Sequence, residues 1–273
     1  MKKYVLSAIV AVFSLVILTS CEDVIDLKLK STTQRTTIEG AVINLEGYSY
    51  VKVSYSGDFF NKQPVTRISN ATVLITDDRG GSEKFVEGAE KGTYLPAPGF
   101  KGEVGRTYTL SVLIDGKEYK SSCKLLPVAQ MDSLTSRFFK KDSVPGKKEG
   151  HYVYMYAKEP QDEKNFYRIK IYEEDSLYND WGSFMYTDDK LVKERIEGLE
   201  FGFPFKEGKK VRVEMYSITE EIFHYYNQLF NLINNDGGLF SSPPQNPKNN
   251  ISGGALGVFT ASAIDIKEIR IKK

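Results

Sequence analysis

Tyr108-Thr109-Leu110-Ser111-Val112-Leu113-Ile114-Asp115-Gly116 places a large apolar residue at every second position and then stops on an acid and a glycine. Successive side chains of a strand point to opposite faces, so Tyr108, Leu110, Val112 and Ile114 share one buried face. Asp-Gly tolerates the positive φ angles of a two-residue hairpin turn, which makes it a strong short-range hairpin signal. Beyond it, Tyr119-Lys120-Ser121-Ser122-Cys123-Lys124-Leu125 alternates again and supplies the returning strand. The same period runs upstream. Val51, Val53 and Tyr55 alternate with Lys52 and Ser54, while Ala71, Val73 and Ile75 share a face and end at Asp77-Asp78-Arg79-Gly80-Gly81. Acids and paired glycines of that kind are turn chemistry. Short strands separated by such turns, with no helical period among them, predict an Ig-like β-sandwich over residues 38–127.

Downstream of Pro127 a polar loop over 138–150 leads into further strands at 152–156 and 166–172 and around Val211, Val213 and Met215. In the second of these Tyr167, Ile169 and Ile171 share a face and Phe166 is out of phase with them. One helix is expected, from about 220 to 234. Ser217 and Glu220 fit a capping box, and Ile222, Tyr226, Leu229, Phe230 and Ile233 form a single apolar stripe suited to packing on a sheet. Asn234-Asn235-Asp236-Gly237-Gly238 stops it. A proline- and asparagine-rich loop over 241–252 and two last strands, 255–263 and 264–271, complete a second β-rich domain over 128–273 that carries the helix. The expected fold class is mainly β.

The amino terminus reads differently. Lys2 and Lys3 precede an apolar run over 5–18, and Leu18-Thr19-Ser20-Cys21 closes it. An ordinary export signal ends in small residues at a cleavage site. A cysteine directly behind them resembles the bacterial lipobox, in which the thiol is acylated and becomes the first mature residue. Each buried CH₂ contributes about 0.8 kcal/mol, so several acyl chains hold firmly. The alternative, an uncleaved transmembrane helix, needs about 20 apolar residues. This run is shorter and is interrupted by Ser7 and Ser14. Residues 1–20 are accordingly read as a lipoprotein signal, Cys21 as the lipidation site, and 21–37 as a tether.

The formal charge of the whole chain is +1. Loss of Lys2 and Lys3 brings it to about −1, which lacks the electrostatic footprint of a nucleic-acid binder. Of the two cysteines, one is taken by lipid, so the chain folds without a disulfide and Cys123 reads as a small buried apolar residue.

A set of short pieces carries a wider likeness. They are Cys21-Glu22-Asp23-Val24-Ile25-Asp26-Leu27, Ile38-Glu39-Gly40, Val51-Lys52-Val53-Ser54-Tyr55-Ser56 and Asn70-Ala71-Thr72-Val73. Gly105 with Tyr108, Leu110 and Val112, Gly116-Lys117-Glu118-Tyr119, Asp132-Ser133-Leu134, and Asn250-Ile251 with Gly257-Val258-Phe259 follow. Together they resemble a DUF4249-like family of Bacteroidota-type outer-membrane lipoproteins of unknown function, encoded beside TonB-dependent receptors. The resemblance implies an accessory to an outer-membrane importer and implies no catalytic residues. Acids just behind the lipidated cysteine look like the signal that sends such lipoproteins to the cell surface. Here Val24 and Ile25 interrupt Glu22, Asp23 and Asp26, so the protein is expected at the surface or, failing that, facing the periplasm.

Chemistry is sparse. His151 and His224 are far apart and form no paired zinc motif. Asp77-Asp78 and Asp188-Asp189 suit turns better than a calcium loop. There is no Gly-x-Ser-x-Gly elbow. No catalytic residue, metal or cofactor is expected, and the chain reads as a non-enzyme. Aromatics are the abundant resource, with 17 tyrosines and 16 phenylalanines. In an all-β protein most of them pack between sheets. Phe59 and Phe60, and Trp181 with Phe184 and Tyr186, stand in loop-like contexts and are the candidates for ligand or partner contact. The expected function is a lipid-anchored outer-membrane binding or scaffold subunit associated with TonB-dependent nutrient uptake, with a glycan or peptide as ligand. The alternatives are a surface adhesin or envelope-structural lipoprotein and, behind these, a glycan or peptide hydrolase.

Overall fold

The computed structural model describes residues 34–57, 64–158, 164–178, 184–189, 195–235 and 245–272. Among them lie β1 (Thr36–Ile43), β2 (Tyr50–Tyr55), β3 (Thr72–Asp77), β4 (Ser82–Glu87), β5 (Thr93–Leu95), β6 (Thr107–Ile114) and β7 (Lys117–Lys124). The chain continues with β8 (Gln130–Phe139), β9 (Gly150–Lys158), β10 (Phe166–Glu173), β11 (Ser176–Leu177), β12 (Met185–Asp188), β13 (Arg195–Glu200) and β14 (Lys210–Ile218). The helix α1 (Glu220–Ile233), then β15 (Leu256–Ser262) and β16 (Ile264–Arg270), end the described fold. It is mainly β with one helix, as the alternation requires.

The hairpin at the centre of the sequence argument forms as expected. Ile114 pairs with Lys117, and Asp115 and Gly116 take φ angles of 47° and 79° at the turn between them. Tyr108, Leu110, Val112, Tyr119 and Cys123 all point into one buried core. The sheet that holds them is larger than residues 38–127 alone supply. Eight strands run in the order β15-β1-β2-β5-β4-β3-β6-β7, with β15 parallel to β1. The sheet rolls until its two ends nearly meet. Ser252 N donates to Lys120 O at 2.7 Å, and Leu126 forms a parallel bridge with Ser262. Rolling a strongly twisted sheet in this way hides edges that would otherwise present unpaired backbone groups.

The second half packs in two layers. The sheet β11-β10-β14-β16, with β12 also on β10, faces the sheet β13-β9-β8. Val153 and Met155 from one and Ile169, Ile171, Val213 and Met215 from the other fill the space between. The out-of-phase Phe166 is explained by the opposite side of β10. It is buried in the first core, 4.9 Å from the ring of Phe223 on α1. Residues from Gln34 onward behave as one compact unit, and the strand starting at Thr36 takes in the end of the expected tether.

The helix starts at Glu220, as read, but its cap is Thr219, whose hydroxyl accepts from Ile222 N at 3.4 Å. Ser217 has other work: its hydroxyl donates to Leu126 O at 2.6 Å and accepts from Ala263 N at 3.0 Å, tying three segments together. Of the expected apolar stripe Ile222 is fully buried, while Ile233 at the far end is 61% exposed. In the asparagine-rich loop Asn250 acts as a surrogate strand residue. Its side chain donates to Phe259 O and accepts from Phe259 N, at 2.8 and 3.0 Å.

Burial pushes the Cys123 thiol up to about 11, and a protonated, shielded sulfur is a poor nucleophile. In a Cys21→Ser chain Ellman's reagent should therefore find the Cys123 thiol only after denaturation. Rapid labelling of the native protein would contradict the buried assignment.

Arg106 gives the fold an acid-sensitive clasp. Its Nε donates to Asp78 Oδ1 at 2.7 Å, its Nη1 to Glu103 Oε2 at 3.2 Å, and its Nη2 pairs with Asp77. The backbone N–H groups of Arg79 and Gly81 hold the Asp77 carboxyl below its ordinary range, and the Arg106 guanidinium does the same to Asp78. The folded acids thus bind fewer protons than the unfolded ones. Their stabilisation is complete above about pH 4 and is lost as pH falls through the lower folded values. Asp78→Asn should cost melting temperature at about pH 6 and little at about pH 2.5. A gap between variant and wild type that stays constant across that range would refute the clasp.

Candidate functional site: a cleft between the sheets

Alternation on β10 and β14 sends Tyr167, Ile169, Ile171, Val211, Val213 and Met215 into the second core. It necessarily sends Arg168, Lys170, Tyr172, Arg212, Glu214, Tyr216 and Ile218 the other way. That side would ordinarily be wet. Here it is roofed by β1, β15 and α1, and a cleft of about 230 Å³ remains between them. Thr37, Glu39, Ala41 and Ile43 of β1 line one wall, and Arg168, Lys170 and Tyr216 line the other. Tyr48, Tyr50, Tyr225 and Tyr226 add phenols around it.

The charges are arranged unevenly. The carbon at the centre of the Arg168 guanidinium sits 4.6 Å from the ring centre of Phe184 and 4.4 Å from that of Tyr226. Rings hold a cation through their quadrupole without consuming its N–H donors. Arg168 Nε is buried with no hydrogen-bond partner. Lys170 Nζ lies 4.8 Å from the ring centre of Tyr216. Among the described residues neither Arg168 nor Lys170 reaches an acid within ion-pair distance, although Lys170 faces Glu214 across the strands. Both acids nearby are engaged. Tyr50 donates its hydroxyl proton to Glu39 Oε1 at 2.5 Å, and Tyr216 donates to Glu214 Oε2 at 2.6 Å. Glu214 Oε1 also lies 3.2 Å from Arg212 Nε.

Burial, reinforced by Glu39, raises the Tyr50 phenol, and burial with the Glu214 hydrogen bond raises that of Tyr216. Burial pushes Tyr225 up to about 12. These tyrosines are neutral donors at any physiological pH. Burial, and next to it the Arg168 charge, lowers the Lys170 ammonium.

Of the residues singled out in the sequence, Cys21, Phe59, Phe60 and Trp181 lie outside the described residues. Phe184 and Tyr186 are brought together, with ring centres 5.7 Å apart. Phe184 also packs 5.6 Å from Tyr226, and Tyr186 5.4 Å from Phe223. They pack against α1, and Phe184 is one of the two rings under Arg168. Sequence reasoning missed Arg168, Lys170, Glu39, Tyr50 and Tyr226. The only available signal was the Arg-x-Lys-x-Tyr phase of β10, which looks the same on a solvated strand.

Among the described residues no three His, Cys, Asp or Glu groups converge as a metal site would require. His151 is buried with its ring 5.0 Å from that of Phe138, and His224 is exposed beside Glu220. No described helix is long and apolar enough to cross a membrane.

A rolled eight-stranded sheet joined to a two-layer β unit, with one helix over a basic, tyrosine-lined cleft, defines a β-rich protein with a single-helix roof. A family model described as "Domain of unknown function (DUF4249)" matches residues 22–268, and the chain belongs to that family. No curated protein matches it.

Proposed function

We propose that this protein is a lipid-anchored accessory of the outer membrane, a non-enzymatic binding or scaffold subunit working with a TonB-dependent receptor in nutrient uptake. The observation that carries the binding role is the inter-sheet cleft. It holds Arg168 and Lys170, neither in an ion pair among the described residues, with the phenols of Tyr225 and Tyr226 on the helix above them, and pre-formed polar groups in a concavity are what recognition requires. The anchoring supports come from the sequence: the cysteine directly after the export signal, the acids behind it, and the likeness to lipoproteins encoded beside such receptors. In this reading Cys21 carries the acyl chains and the folded unit stands at the cell surface, where it meets a glycan or peptide before the receptor does.

The test is affinity purification of the tagged full chain from detergent-solubilised envelopes, with the mass of the Cys21 peptide read in the same sample. An acylated Cys21 and a co-purifying TonB-dependent receptor are the expected results. An unmodified Cys21, or repeated failure to recover any such receptor, would overturn the reading.

A further inference from the structure

We infer that the cleft between the sheets binds the carboxylate of a small molecule or chain end, with Arg168 and Lys170 as its cationic partners. This rests on the reading of the protein as a binding subunit and adds the chemistry of what is bound.

Three observations converge. First, Arg168 and Lys170 lie two positions apart on β10, so both project into the cleft. Neither is in an ion pair among the described residues, whereas the acids beside them, Glu39 and Glu214, are occupied by tyrosine hydroxyls and by Arg212. The cleft lining therefore carries two cations against one carboxylate, Glu39, and keeps a net positive charge. Two like charges on one wall repel each other, and an anion between them removes that repulsion.

Second, Arg168 is positioned chiefly by the rings of Phe184 and Tyr226, with the Tyr226 hydroxyl beside its guanidinium, and its buried Nε has no hydrogen-bond partner among the described residues. Ring contacts fix a guanidinium while leaving its donors available, and its planar fork matches a carboxylate in two parallel bonds. Third, the size is right for a compact group. At about 230 Å³ the cleft falls below the range of drug-sized pockets and suits a monosaccharide, a single amino acid or the end of a longer chain. Its remaining walls divide into hydroxyls, Thr37 and Thr260, and apolar side chains, Ile43, Ile218 and Val258. The phenols of Tyr225 and Tyr226 complete the donor set.

A carboxylate of this size has two sources at a cell surface, an acidic sugar and a peptide carboxyl terminus. The experiment separates them by calorimetric titration of the purified full chain in detergent. The probes are D-glucuronate against D-glucose, and N-acetyl-L-alanine against its amide, with inorganic phosphate as the tetrahedral comparison. Saturable binding of one acid is expected, with its neutral counterpart at least tenfold weaker. Glucuronate as the better probe assigns an acidic glycan, and N-acetyl-alanine assigns a peptide end. Arg168→Lys, which keeps the charge and loses the fork, and Lys170→Met should each weaken the acid at least tenfold while melting like the wild type. Lys170→Met also guards against an Arg168 variant that fails to fold. No saturable binding of either acid, equal binding of acid and neutral counterpart, equal binding of phosphate, or unchanged affinity in both folded variants would each overturn the inference. Binding of a neutral probe alone would sink it while leaving the binding role standing, and recovery of a receptor tests that role separately.

Discussion

Gly257→Ala should lower the melting temperature by about 10 °C, taking a cost of about 3 kcal/mol or more and roughly 2–4 °C per kcal/mol for a unit of this size. Gly257 is paired with Ile38 in the parallel β1·β15 ladder and has φ = +102°. A β-carbon there would be driven onto the Ile38 carbonyl oxygen and would sit 2.8 Å from its carbonyl carbon and 3.2 Å from its nitrogen. Those are backbone atoms of a strand whose neighbours Ile38 and Val42 are fully buried, so they have nowhere to retreat. Left-handed strain and a backbone clash therefore add together. Gly254→Ala is the control. Gly254 also has positive φ, +79°, but nothing lies within 4 Å of its missing β-carbon, so strain alone applies. A Gly257 variant melting within about 2 °C of the wild type would show that β15 is not held against β1 as described.

Glu214→Ala should also be severe, at about 3 kcal/mol, because it removes the fully buried acid from a partly buried ion pair and leaves the Tyr216 hydroxyl without its acceptor. Glu214 is 1% exposed, accepts from the Tyr216 hydroxyl at 2.6 Å, and lies 3.2 Å from Arg212 Nε. Arg212 Nε has no aligned hydrogen bond, so the attraction is chiefly ionic. The Arg212 guanidinium also lies 4.2 Å from the ring centre of Tyr172. Without the carboxylate its charge is left with that ring and with Glu268, its partner across β16. Arg212→Met should consequently rescue part of the Glu214→Ala loss, and a double-mutant cycle by denaturant unfolding measures the coupling. A loss under about 1 kcal/mol for Glu214→Ala, or strict additivity of the two changes, would contradict this pair.

Much of the local structure was legible because its causes are local. The period-two run from Tyr108 to Ile114 and the Asp115-Gly116 turn specify a hairpin with no help from the rest of the chain. The helix was legible for the same reason, and its cap was misplaced by two residues because Ser217 is claimed by Leu126 and Ala263, partners that spacing in sequence cannot reveal. Phe166 looked out of phase because β10 has two buried faces, and period arguments assume one. The cleft was hidden by the same assumption. Arg168, Lys170 and Glu214 occupy the phase that a half-exposed strand gives to water, and only the roof of β1 and α1 makes that phase an interior. Phe184 and Tyr186 stood out as rings in a loop-like context; that one of them underlies Arg168 depends on where α1 is laid down.

The parallel ladder between β1 and β15 also sets an order in time. Arg35, at the foot of β1, hydrogen-bonds Gly254, 219 residues later. A polypeptide made from its amino end finishes β1 and β2 while the strand that must flank them has yet to leave the ribosome. Until it arrives, β1 carries an open row of donors and acceptors, the template on which strands of other molecules assemble. Such distant pairing makes for slow folding. A nascent chain of this protein would need shelter until its next-to-last strand is complete.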